Sequence, residues 1–151
     1  MERQAASHPN MITAFVVLQD TSLENGGLRT ITGSHNWGLL EDSATFFEKD
    51  LDGLAAQFAK AAQGKPWQDE ACMMKAGQVA FHHALTLHGS GANATNQDRM
   101  ALAIHMMMSC TSQVPFQYAG KWHSNIRELG VHVQAGLKFN GPAFPALYSK
   151  R

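Results

Sequence analysis

At 151 residues, 44% apolar and 16% charged, the sequence fits one folded domain with a core and is too apolar for a disordered chain. Twelve basic and twelve acidic residues cancel, and no run of Lys or Arg exceeds two, which excludes the basic face of a nucleic-acid binder. No apolar run reaches the ~18 residues of a membrane span, and the polar start MERQAASHPN is no export signal. A soluble, cytoplasmic setting is expected, with Cys72 and Cys110 as reduced thiols.

Residues 1–10 read as a tail or a cut edge. MITAFVVL, 11–18, is rich in branched and aromatic side chains and predicts a strand buried on both faces. Asn25-Gly26-Gly27 supplies the positive φ of a tight reversal, and LRTI, 28–31, returns as a short strand. TGSHNWG, 32–38, is a loop. Over 45–62, Phe47, Leu51, Leu54 and Phe58 recur at three- and four-residue spacing and Ala62 continues the face, which predicts one long amphipathic helix. Gly64-Lys65-Pro66 stops it.

ACMMKAGQ, 71–78, predicts a short strand broken at Gly77. VAFHHALTLH, 79–88, and RMALAIHMMM, 99–108, predict strands on either side of the small, polar loop GSGANATNQD, 89–98. Pro115, Pro142 and Pro145, with the glycines after Thr111, predict an extension that wraps the domain. Within it KWHSNIREL, 121–129, reads as a short helix or an element over a pocket mouth. Strands and helices do not alternate, so a doubly wound fold is not expected. The pattern predicts a mainly β sandwich, jelly roll or partial barrel.

The chemistry concentrates between Phe81 and Met108. In a straight strand His82 and His83 point to opposite faces, while His82 and His88 share one at a distance of about 20 Å. On that reading His82 and His88 cannot hold one ion, and His88 stands alone at a strand end. There it is either a metal ligand or a polar residue closing the sheet edge. Arg99 opens an otherwise apolar strand, so its guanidinium either clamps a small carboxylate or turns to solvent. Ser90, Asn93 and Thr95 are available in the same loop. His105 serves equally as an interior or a site histidine. The methionines 106–108 and the tryptophans 37, 67 and 122 read as packing residues. No GxGxxG, P-loop, CxxC or HExxH occurs, and neither GSG nor GSH is a G-x-S-x-G elbow.

The stretch FHHALTLHGSGANATNQDRMALAIH, 81–105, resembles the C-terminal motif of the phytanoyl-CoA dioxygenase family. ITAFVVLQDTSLENGGLRTITGSH, 12–35, resembles the segment before it, with the ENG-L turn and GSH. The resemblance covers about residues 10–108. It implies the C-terminal part of a double-stranded β-helix, a jelly roll that binds Fe(II) and the cosubstrate 2-oxoglutarate and hydroxylates an unactivated C–H bond. Such iron is held by a His-x-Asp pair and a distal histidine, a set that leaves coordination positions open. Carried over residue by residue, His88 of HGSG becomes the distal metal ligand, Arg99 the grip on the far carboxylate of 2-oxoglutarate, and Ser90 its assistant. Phe15 stands where some members place a tryptophan against the cosubstrate.

One departure is large. No His-x-Asp or His-x-Glu occurs in these 151 residues. Residues 1–110 are therefore expected to be the C-terminal portion of such a domain, with 111–151 an extension packing on it. The expected function is Fe(II)- and 2-oxoglutarate-dependent hydroxylation of a small organic substrate, once a complete ligand set is present. The alternative is a carboxylate-binding or assembly module without turnover. An open half-sheet has unpaired edges, so association into a homo-oligomer is expected.

Overall fold

The computed structural model describes residues 11–38, 51–112, 117–118, 121–122, 136–142 and 144–148. Their contacts group them into two compact units, Ile12–Met106 and the remaining described residues, Met11 and those within Met107–Arg151. The expectations for residues 1–10, for the helix start at 45–50 and for all but the first two residues of 121–129 lie outside the described residues.

The first unit is built from two three-stranded sheets and one helix. In one sheet, β1 (Met11–Val17) lies between β4 (Val79–His83) and β6 (Ala101–Met107). β1 and β4 are antiparallel, with Thr13 opposite His82 and Phe15 opposite Ala80. β6 is held on the other side of β1. There the Leu18 N–H donates to the Met100 carbonyl at 3.0 Å, and Thr13 Oγ1 meets His105 Nδ1 at 2.8 Å. In the second sheet, β2 (Leu28–Ile31) lies between β3 (Asp69–Ala71) and β5 (His88–Ser90), antiparallel to both. A mainly antiparallel β architecture of jelly-roll type is what the sequence led us to expect.

Alternation along β2 sorts its environment. Leu28 and Thr30 share one face, Arg29 and Ile31 the other. Ile31 and Leu87 form a buried core on which Phe58, Ala61 and Trp37 pack. Phe58 and Ala61 belong to α1 (Leu51–Ala61). Its half-buried side chains, Leu54, Phe58 and Ala61, follow the three- and four-residue spacing, and Ala62 just beyond is buried. Gln63 and Gly64 then take positive φ, 51° and 77°, and end the helix.

The described α1 has 11 residues, about three turns, and its expected start at 45–50 lies outside the described residues, so a long helix is not supported by it. Two expectations need correction. β1 is not buried on both faces. Thr13 and Val17 are buried on one side; on the other the small Ala14 is buried while Ile12 is 43% exposed. The third strand of the second sheet is Asp69–Ala71, not 71–78. It was hidden because all three of its residues are exposed and carry no apolar alternation.

In the second unit, β7 (Gln117–Tyr118) pairs antiparallel with β8 (Lys121–Trp122). Ser112 bridges to Lys138, and the Phe139 and Phe144 rings meet at 5.1 Å.

Candidate functional site

The site follows from a turn that the sequence conceals. Residues 79–88 are not one strand. After His83 the chain reverses: the Thr86 N–H donates to the His83 carbonyl at 2.9 Å, and the Leu85 N–H donates to His83 Nδ1 at 3.1 Å. The His83 ring thus caps its own turn, with no Gly or Pro needed. β5 begins at His88 in the other sheet. The rings of His82 and His88 consequently lie 4.6 Å apart, centre to centre, at 45°. A separation of about 20 Å, which a straight strand would impose, is therefore wrong for this pair.

His82 stands on the face of its sheet that carries Thr13, Phe15 and Ala80. His105 joins that face through Thr13. Two residues before His105 in β6, strand parity puts Ala103 on the same side, and Arg99 lies two residues before that strand begins. His88 touches His82 from the second sheet, and Ser90 shares the parity of His88. The four residues assigned from the sequence, His88, Ser90, Arg99 and Phe15, thus belong to one unit, with Phe15 on the face of His82 and His88 against that face from the second sheet. Among the described residues no hydrogen bond or ion pair joins those four to one another; the ring contact that forms is between His88 and His82. Beside it a cavity of about 260 Å³ opens between the sheets, lined in part by Leu28, Thr30, Cys72, Ala80, His82 and Thr86.

The electrostatics differ from ring to ring. The Nδ1 of His88 lies 2.8 Å from the Thr86 carbonyl. A carbonyl only accepts, so Nδ1 carries the proton and the lone pair of a neutral ring is left on Nε2. His82 has a buried Nδ1 with no hydrogen-bond partner among the described residues. Burial, reinforced by like-charge repulsion from His88 and His105, pushes the His82 ring down to about 4, so it is neutral near pH 7.

Arg99 is half-buried and makes no hydrogen bond or ion pair among the described residues. Other basic side chains are engaged: Arg29 pairs with Asp69 at 3.0 Å and Lys75 with Asp20 at 2.8 Å. Phe15 is half-buried and can pack against a bound carbon chain.

A pair of imidazoles suits a first-row metal such as iron. The described residues nevertheless do not complete a two-histidine, one-carboxylate set. No three His, Cys, Asp or Glu side chains among them converge on one point.

Sequence reasoning missed Ser34. Its hydroxyl is buried, donates to the Ile31 carbonyl at 2.7 Å and accepts the Leu87 N–H at 2.8 Å. The serine of GSH is thereby a clamp that sets the residue before His88. The GSH motif was the available signal, but nothing local in the sequence says that its serine reaches residue 87.

The model of the phytanoyl-CoA dioxygenase family (PhyH) matches residues 2–101. Among solved structures, the chain is similar to the non-heme alpha-ketoglutarate-dependent epimerase SnoN from nogalamycin biosynthesis. That match has a TM-score of 0.70 and 24% identity, over 97% of this chain and 52% of that one. The non-heme alpha-ketoglutarate-dependent carbocyclase SnoK, from the same biosynthesis, gives 0.66 and 21%, over 94% of this chain and 52% of that one. SnoN in complex with Fe3+, alpha-ketoglutarate and nogalamycin RO gives 0.61 and 24%, over 93% and 52%. These likenesses establish a shared fold, and the chain spans about half the length of the structures it matches. No curated protein matches the sequence.

Proposed function

The chain belongs to the phytanoyl-CoA dioxygenase family, and on that premise we propose that it supplies the distal histidine and the 2-oxoglutarate grip of an Fe(II)-dependent oxygenase acting on a small organic substrate. The observation that carries this reading is Arg99. A half-buried arginine without a hydrogen-bond or ion-pair partner among the described residues is available for a ligand carboxylate. It lies just before β6, the strand that carries His105, in the same unit as Phe15, His88 and Ser90. In this reading Arg99 holds the far carboxylate of the cosubstrate, Ser90 adds a hydroxyl, and Phe15 packs on the carbon chain. His88 offers Nε2 to the metal. When bound with a full ligand set, iron supplies oxygen activation; this chain's residues bind and orient.

The incomplete metal set among the described residues favours a second reading, a carboxylate-binding or assembly module without turnover. Anaerobic titration of the chain with Fe(II) and 2-oxoglutarate separates the two. A visible metal-to-ligand charge-transfer band supports the oxygenase; 2-oxoglutarate binding without a band or decarboxylation supports the module. Arg99→Ala weakens 2-oxoglutarate binding by about 2–5 kcal/mol if the clamp is desolvated. Unchanged binding removes Arg99 from the site and with it both readings.

Two further features belong to this reading. The free thiols Cys72 and Cys110 support a reducing, cytoplasmic setting. The apolar outer side of the β4-β1-β6 sheet, where Phe81 is 64% exposed, supports self-association.

A further inference from the structure

We propose that His82 is a second nitrogen ligand, so that His82 and His88 together hold one divalent first-row transition-metal ion. The inference rests on His88 being a metal ligand. It adds a residue that the family pattern of a His-x-Asp pair and a distal histidine leaves without a role.

The geometry is the first argument. An imidazole nitrogen sits about 2.0–2.1 Å from such a metal, with the ring centre about 1 Å behind it. Two rings on adjacent corners of one coordination sphere then have centres roughly 4.5–5 Å apart. The His82 and His88 centres are 4.6 Å apart.

The nitrogens are the second argument. The Thr86 carbonyl occupies Nδ1 of His88, which fixes the tautomer and leaves Nε2 to coordinate. His82 has a buried ring nitrogen with no partner among the described residues. An unsatisfied buried nitrogen is costly, and a ligand that engages the ring offsets the cost.

The third argument is placement. Each histidine stands on a strand of a different sheet, His82 on β4 and His88 on β5, and the turn capped by His83 fixes their approach. Two imidazole nitrogens and no adjacent carboxylate among the described residues select Ni(II), Cu(II), Zn(II) or Fe(II) over Mg(II) and Ca(II).

The test is metal binding by the whole chain. Cu(II) is added to protein labelled with 15N-histidine, and the electron paramagnetic resonance spectrum gives the number of coordinated imidazole nitrogens. Two are expected. His82→Asn is expected to leave one and to weaken Ni(II) binding by about tenfold or more in calorimetry. His88→Asn is expected to do the same.

One nitrogen in the unaltered chain, lost in His88→Asn and untouched by His82→Asn, overturns the inference and leaves His88 as a ligand. Binding that His88→Asn does not change overturns both. The nitrogen count on the labelled, unaltered chain needs no substitution, so the outcome does not depend on either variant folding.

Discussion

Ser34 and Leu87 are joined across the first unit by a buried hydrogen bond: the Leu87 N–H donates to the Ser34 hydroxyl at 2.8 Å. The same hydroxyl donates to the Ile31 carbonyl at 2.7 Å, so β2 and the approach to His88 are tied through one side chain. Ser34→Ala leaves the Leu87 N–H without its acceptor in a buried position. We expect a loss of about 1–3 kcal/mol in folding free energy, read from denaturant midpoints at constant m-value. We also expect weaker Ni(II) binding, because His88 is the next residue. Full stability in Ser34→Ala would show that the clamp carries nothing.

Gly26 offers a sharper steric test. Its φ is +74°, and a Cβ built there would lie 2.7 Å from the Gly91 carbonyl oxygen. The reversal around Asn25 is also pinned to the loop after β5 by the Ala94 N–H, which donates to the Glu24 carbonyl at 2.8 Å. Gly33 has φ +76° but open space where its Cβ would be. Gly33→Ala therefore carries only the left-handed backbone term, about 1–2 kcal/mol. Gly26→Ala carries that term plus displacement of backbone, and must be the more destabilising of the two. Equal thermal midpoints for the two variants would contradict the close approach.

Asp20 and Lys75 provide a pH test. The Lys75 ammonium, 2.8 Å away, and the Ala76 N–H hold the Asp20 carboxyl below its ordinary 3.8. A depressed carboxylate contributes stability above its unfolded value and loses it as pH falls through the folded value. The loss therefore lies below about pH 4. Both partners are fully exposed, so solvent keeps the effect small. Carboxyl-carbon NMR should place the Asp20 midpoint under 3.8, and Lys75→Met should move it up. A midpoint that ignores Lys75→Met would break the assignment.

How far the site was legible depends on which residues carry the information. β1, β2 and β6 announce themselves through branched and apolar runs, and Asn25–Gly27 through positive-φ chemistry. Gly26 does adopt that conformation at 74°, and the Asn25 side chain accepts the Ser22 N–H at 2.8 Å. The turn after His83 does not announce itself, because a histidine ring caps it where Gly or Pro is the usual signal. Missing that turn removed His82 from the site. Likewise Ser34 reaches a partner 53 residues away, and no local pattern encodes such a reach. What the motif HGSG and the lone Arg99 could carry was the chemistry. What they could not carry was the neighbour that tertiary structure brings to His88.

The outer side of the β4-β1-β6 sheet makes the last prediction. Strand parity puts Val79 and Phe81 of β4, Ile12 of β1, and Leu102 and Ile104 of β6 on the side away from His82 and His105. All five are exposed, Phe81 by 64% and Leu102 by 53%. β4 and β6 are also edges of their sheet among the described residues. An apolar face with open edges buries itself against another surface when one is at hand. Sedimentation of the chain should show concentration-dependent association. Phe81→Ser with Leu102→Ser should shift it toward monomer. Because those side chains point outward, the double variant should keep its thermal midpoint when both proteins are compared as monomers at high dilution. A chain that stays monomeric at every concentration, or an association untouched by the double variant, would sink the prediction.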